Sequence, residues 1–142
     1  PDAVLLVAGK DRTARYEALA RRLGVERRVS LLGQRGDAAR LLTACDVMIL
    51  PTMYDPCANA CLEALAAGRP VVTRRANGAS ELVQPGVSGF VVSDPADDAA
   101  LALACEKALA LPPDFADQVP DLADWVGRMA AVMEQAGGEG AS

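Results

Sequence analysis

Short unbroken apolar runs that stop at glycine or polar loop residues, separated by stretches of helical spacing, leave this chain few folds to choose from. Ala3-Val4-Leu5-Leu6-Val7-Ala8 ends at Gly9. A run without polar alternation suits a strand covered on both faces, as in a parallel sheet. Over residues 12–23 the apolar positions Tyr16, Leu19, Ala20 and Leu23 repeat at helical spacing, and Gly24 supplies a stop. Arg28-Val29-Ser30-Leu31-Leu32 reads as a second strand ending at Gly33. Asp37 is then expected to cap a helix through residue 44 that turns Leu41 and Leu42 inward. Val47-Met48-Ile49-Leu50 is the third strand, followed by a helix over about 56–67 that Gly68 closes. Pro70-Val71-Val72-Thr73 is the fourth strand, residues 78–83 a short helix, and Gly89-Phe90-Val91-Val92 the fifth strand. Helical spacing returns over 97–109. Beyond Pro112-Pro113, residues 121–135 predict a last amphipathic helix carrying Trp125, Met129 and Met133.

Alternation of strand and helix implies an α/β chain: a Rossmann-like open parallel sheet with helices on both faces and right-handed crossovers. Composition agrees, because 51% hydrophobic residues with only 4% aromatic favour close packing of small side chains between helices and sheet. With 142 residues, one domain over 1–136 and a frayed tail over 137–142 are expected. Ligands of such sheets bind outside the carboxyl ends of the strands. Those ends carry Gly9-Lys10, Gly33-Gln34-Arg35, residues 52–55 and residues 73–78.

Several functions are excluded or disfavoured at once. A net charge of −5 and a pI near 4.7 argue against a nucleic-acid surface. Arg12, Arg15, Arg21, Arg22, Arg27, Arg28 and Arg40 read as solvated helix faces and turns. No apolar run is long enough to cross a bilayer, and Pro1-Asp2-Ala3 lacks the basic start of a secretory signal, so a cytoplasmic location is expected. Cys45, Cys57, Cys61 and Cys105 show neither disulfide-scaffold nor zinc-like spacing and are expected to be reduced thiols. With no His in these 142 residues, a His base, a His-ligated zinc and a Ser-His-Asp triad cannot arise within them. Gly9 and Gly33 are single glycines and do not make a dinucleotide fingerprint.

The richest segment runs from Leu50-Pro51-Thr52-Met53-Tyr54-Asp55-Pro56-Cys57-Ala58-Asn59-Ala60-Cys61-Leu62-Glu63 into Ala64-Leu65-Ala66-Ala67-Gly68-Arg69-Pro70-Val71-Val72-Thr73. Asp55 is expected at the helix N-cap and Pro56 at the first helical position. The free N–H groups and positive dipole of that helix start would suit a diphosphate without a metal. At roughly 1.5 Å per residue, Asp55 and Glu63 would lie about 12 Å apart along the axis, comparable to the span from a donor sugar to its ribose. Asn59 shares a face with Glu63. Lys10 and Arg35 sit at strand ends where phosphate contact and plain solvation are equally open.

This segment, an acid followed by seven residues and Glu-Ala-Leu-Ala-Ala-Gly-Arg-Pro-Val-Val, resembles the E-x7-E segment of family 4 glycosyltransferases. Leu-Gly-Val-Glu-Arg-Arg-Val-Ser-Leu-Leu-Gly upstream, and Asn-Gly-Ala-Ser-Glu-Leu-Val and Gly-Val-Ser-Gly-Phe-Val-Val downstream, resemble it in the same order. The resemblance covers roughly residues 1–110, and the Tyr54-Asp55-Pro56-Cys57 version is most similar to enzymes related to the lipopolysaccharide-core glucosyltransferases. It implies the C-terminal half of a two-domain GT-B fold, with the first strand-helix unit and the N-terminal acceptor domain missing here. It implies a retaining, metal-independent hexosyltransferase with a UDP-linked sugar as donor and no cofactor, inactive as an isolated fragment. Asp55 would contact the donor sugar and Glu63 the ribose diol. The amides of Cys57 and Ala58 would meet the diphosphate, with Asn59 and Lys10 in the donor-binding set, and main chain near Arg35 would meet the base. The whole enzyme would act on an envelope glycan at the inner face of the cytoplasmic membrane, with peripheral membrane association. The first acid is Asp55 where the family usually has Glu, which motivates an alternative: a non-catalytic nucleotide-binding or interaction module that keeps the fold.

Overall fold

A computed structural model describes residues 3–10, 13–56, 58–94, 97–112 and 115. The helix expected over 121–135, the tail over 137–142 and Cys57 lie outside them. The chain forms two compact units, divided between Leu41 and Leu42.

In the first unit, β1 (Leu5–Ala8) pairs in parallel with β2 (Val29–Gly33), from Leu5 beside Val29 to Ala8 beside Gly33, with a slip between Val7 and Ala8. The connection is α1 (Thr13–Arg22) and a 3₁₀ turn at Glu26–Arg28. α1 packs on β2. The expectation that β1 is covered on both faces does not hold: Leu5, Leu6 and Val7 are 44%, 41% and 38% exposed. An apolar run records what a strand tolerates, whereas cover depends on which elements reach it, and α1 lies over β2.

The second unit holds β3 (Met48–Leu50), α3 (Asn59–Ala66), β4 (Val71–Arg74), β5 (Gly89–Val92) and α4 (Asp98–Leu109), with a 3₁₀ turn at Gly78–Leu82. α2 (Ala38–Ala44) precedes it. The strands form a parallel sheet ordered β3-β4-β5, with Met48 beside Val71 and Val71 beside Gly89. Every strand pair in the two units is parallel, as the alternation of strand and helix implies.

β4 is the centre of this unit. Every residue of it is buried, and because side chains alternate across a strand, its two faces enter different clusters. Val71 joins Cys61, Ala64 and Leu65 of α3, with Ala79, Val83 and Phe115. Val72 joins Val92 and the α4 residues Ala104 and Ala108. Burying Leu65, Val71 and Val72 completely contributes about 1.5–3 kcal/mol each. Alanines at the helix contacts let α3 and α4 approach the sheet closely, as the low aromatic content anticipates.

Local signals fix the ends of the helices. After α3, Gly68 takes φ +68°, its N–H donates to the Leu65 carbonyl at 3.0 Å, and the Arg69 N–H donates to the Ala64 carbonyl at 2.8 Å. This pair of bonds satisfies carbonyls that a helix end otherwise leaves open, and the left-handed backbone it needs favours glycine. The same pair recurs after α1 at Gly24 and Val25. At the start of α4, the Asp97 carboxylate accepts the Ala100 N–H at 2.7 Å.

Gly89 opens β5 at φ +146°, and a Cβ there would overlap the Val71 carbonyl. Gly89→Ala is therefore expected to lower stability by at least about 2 kcal/mol, from backbone strain and displacement of the central strand. Urea denaturation of the two proteins measures it, and equal midpoints would contradict the packing described.

Candidate functional site

β3 and β4 run the same way, so the segments leaving them, residues 51–58 and 75–77, emerge at one edge of the sheet. Two main-chain bonds extend that pairing past the strands. The Asp55 N–H donates to the Ala76 carbonyl at 3.1 Å, and the Asp55 carbonyl accepts the Gly78 N–H at 2.9 Å. Asp55 and Asn77 thereby form a parallel bridge.

This bridge corrects the expected helix start. Asp55 is not the N-cap and Pro56 is not the first helical residue: α3 begins at Asn59, and its N-cap is Ala58, with φ −71°, ψ 108° and no side-chain capping bond. A residue before proline favours extended backbone, and here the bonds to residues 76 and 78 hold Asp55 there. The axial spacing of Asp55 and Glu63 along one helix falls with it, because the chain at Asp55 and Ala58 does not follow the helical rise.

The N-cap residue is instead held from another loop. Asn77 is fully buried, and its Oδ1 accepts the Ala58 N–H at 3.3 Å and the Ala79 N–H at 3.0 Å. Its Nδ2 donates to Thr73 Oγ1 at 3.0 Å and lies 3.4 Å from Cys61 Sγ. The Thr73 hydroxyl in turn donates to the Leu50 carbonyl at 2.8 Å. Sequence reading did not single out Asn77. Its signal was an Asn before a short helix, the side chain best suited to take a helix's first N–H groups.

The remaining acids and amides fall around this edge. Asp55 is half-buried, and Asn59 and Glu63 are exposed one turn apart on α3, whereas Ala58 is buried and its N–H, expected to meet a diphosphate, is instead taken by Asn77. Arg74, only 8% exposed, brings a cation to the carboxyl end of β4, its NH1 3.5 Å from Met53 Sδ in the Asp55 loop. That residue, too, was not anticipated. Met53 and Tyr54 are 73% and 77% exposed beside Asp55. Carboxylates with a helix start between them suit a ligand that carries hydroxyls at its ends and an anion in its middle.

In the first unit, the Gly9 N–H donates to the Gly33 carbonyl at 2.9 Å, joining the carboxyl ends of β1 and β2, and Lys10 is exposed just beyond. Arg35 is exposed and grips Asp37 with two bonds, Nε to Oδ1 at 2.8 Å and NH2 to Oδ2 at 2.7 Å. Those bonds hold the Asp37 carboxyl below the ordinary range and raise the Arg35 guanidinium. The carboxylate expected to cap α2 is thus engaged by Arg35, and it is the Asp37 main-chain carbonyl that accepts the Arg40 and Leu41 N–H groups at the start of α2. Of the cysteines, Cys45, Cys61 and Cys105 are free thiols, and burial raises the Cys105 thiol. None of the described helices is long and apolar enough to cross a membrane.

A parallel sheet with helices on both faces and an acidic, amide-bearing edge at its strand ends defines a Rossmann-like domain of the GT-B type. The family model of the group 1 glycosyl transferases matches residues 1–110, and the chain belongs to that family. It is 31% identical over 112 residues to the lipopolysaccharide glucosyltransferase WaaG of Escherichia coli K12, covering 79% of this chain and 30% of WaaG. It is similar to the crystal structure of WaaG, described as a glycosyltransferase involved in lipopolysaccharide biosynthesis, at TM-score 0.70 and 32% identity over 75% of this chain and 29% of that one. It is also similar to Anabaena Alr3699/HepE in complex with UDP-glucose, at TM-score 0.67 and 26% identity over 93% and 41% of the two chains. The chain spans less than half the length of each of these relatives.

The Arg35–Asp37 pair gives a pH-dependent expectation. A carboxyl lowered on folding contributes stability that is present above its unfolded pKa and is lost as pH falls through its folded value. The window lies on the acid side of the ordinary carboxylate range, and the contribution is small for so exposed a pair. Arg35→Gln should raise the Asp37 pKa back towards that range, read by NMR titration of the carboxyl carbons. An unchanged midpoint would mean that the pair does not persist in solution.

Proposed function

We propose that this chain is the donor-binding part of a retaining hexosyltransferase that uses a nucleotide-activated sugar, with UDP-glucose or a similar compound as donor. The observation that carries the reading is the bridge that holds Asp55 beside the start of α3, at the carboxyl edge of the sheet. In this reading Asp55 meets hydroxyls of the sugar, the amide at Cys57 together with Asn59 meets the diphosphate, and Glu63 binds the ribose diol. The positive end of α3 stabilises charge growing on the leaving diphosphate, and no metal is required. The Anabaena structure holding UDP-glucose supports the choice of donor. The name of WaaG supports an envelope glycan as acceptor. Transfer itself is a property of the full-length protein, working at the inner face of the cytoplasmic membrane, where domain closure excludes water.

Two substitutions test the assignment of the acids. Glu63→Ala should weaken UDP binding by about 1 to 3 kcal/mol, because charge-assisted bonds to the ribose diol are lost. Calorimetry on the folded variant reads this, and unchanged affinity removes Glu63 from the site.

Asp55→Asn keeps the main-chain bridge and removes the charge. In the full-length protein it should depress transfer at least about tenfold while UDP binding stays nearly intact, whereas Asp55→Glu should be tolerated. Full turnover by the Asn variant would leave Asp55 a purely structural residue.

A further inference from the structure

Asp55 and Ala58, the two ends of the loop on which the donor reading rests, are both held by one turn, residues 76–78. Ala76 and Gly78, on either side of Asn77, bond the Asp55 main chain, and the Asn77 side chain bonds Ala58. Only Pro56 and Cys57 lie between the two grips. The separation of Asp55 from the start of α3 is therefore set by the shape of Asn77 and its neighbours.

The amide of Asn77 has one stable orientation. A buried side-chain amide offers two acceptor sites and two donors, and all four are engaged here. Thr73 decides which end faces which. Its hydroxyl proton is spent on the Leu50 carbonyl, so its oxygen accepts only, and Nδ2 must point at it. Reversing the amide would set oxygen against oxygen at Thr73 and NH₂ against the N–H groups of Ala58 and Ala79, leaving buried polar groups unsatisfied. The last carbonyl of β3 thus orients Thr73, Thr73 orients Asn77, and Asn77 places the start of α3 opposite Asp55.

We propose that Asn77, oriented by Thr73, is a positioning residue that fixes the distance between the sugar-contacting acid and the diphosphate-binding helix start. The proposal rests on the donor-binding reading above. A ligand that bridges both elements, a nucleoside diphosphate sugar, depends on that distance. UMP, with one phosphate and no sugar, draws its binding from the nucleoside end and is largely indifferent to it.

The test compares UDP-glucose and UMP affinities by calorimetry for the wild-type chain, Asn77→Ser, Thr73→Val and Thr73→Ser, with melting curves to show that each is folded. Serine at position 77 still caps Ala79 and is too short to tie Ala58. Valine at position 73 keeps the shape of threonine and loses the hydroxyl. Asn77→Ser and Thr73→Val should each weaken UDP-glucose about tenfold and leave UMP within about twofold, the loss of roughly one or two hydrogen bonds acting through geometry. Thr73→Ser should behave as wild type, and the double variant should lose little beyond either single one. Equal losses for both ligands, or none, would overturn the proposal by reducing Asn77 to fold maintenance. Should Asn77→Ser not fold, the Thr73 pair decides alone. A wild-type chain that binds neither ligand removes the donor-binding reading, and the proposal with it.

Discussion

Parallel pairing of β3 with β4 is the constraint on which the second unit depends. Parallel strands send their outgoing loops to the same edge, so the loop with Asp55 and the turn with Asn77 meet although they are far apart in sequence. The pairing also needs a crossover connection. That connection is α3, whose first residue consequently lies at the same edge as the two loops. A helix start, an acid and a buried amide come together as a consequence of strand direction.

Burial of β4 on both faces sets what the surrounding elements are allowed to be. α3 meets one face with Cys61, Ala64 and Leu65, and α4 meets the other with Ala104 and Ala108. The neighbouring strand approaches so closely that Gly89 has no room for a side chain. A sheet packed this tightly holds its edge loops by main-chain bonds, which makes it a rigid support for a site. The polar residues Thr73 and Asn77 are tolerated inside it because each of their polar atoms has a partner.

The electrostatics of the edge differ from those of the chain as a whole. The protein carries a net charge of −5, yet the carboxyl end of β4 presents the buried guanidinium of Arg74 beneath the Met53 side of the Asp55 loop. In the first unit the equivalent strand ends are more open. There Arg35 spends both arms on Asp37, and Lys10 stands in solvent.

The sequence by itself determined the order of strands and helices, the glycine stops at Gly24 and Gly68, the strand Gly89–Val92 and the family. Helix ends are written in bonds between residues three to five apart, and strand identity in a run of a few apolar side chains, so both are legible locally. Local chemistry gave the wrong answer at Asp55, where an acid before a proline reads as a cap. The structure instead starts α3 after Ala58, whose N–H is held by Asn77, 19 residues away. Only the tertiary structure decided that, along with the exposure of β1 and the arrival of Arg74 at the site. Each of these is a contact between segments distant in the chain, and no local pattern records which distant partner a backbone N–H or a side-chain amide will find.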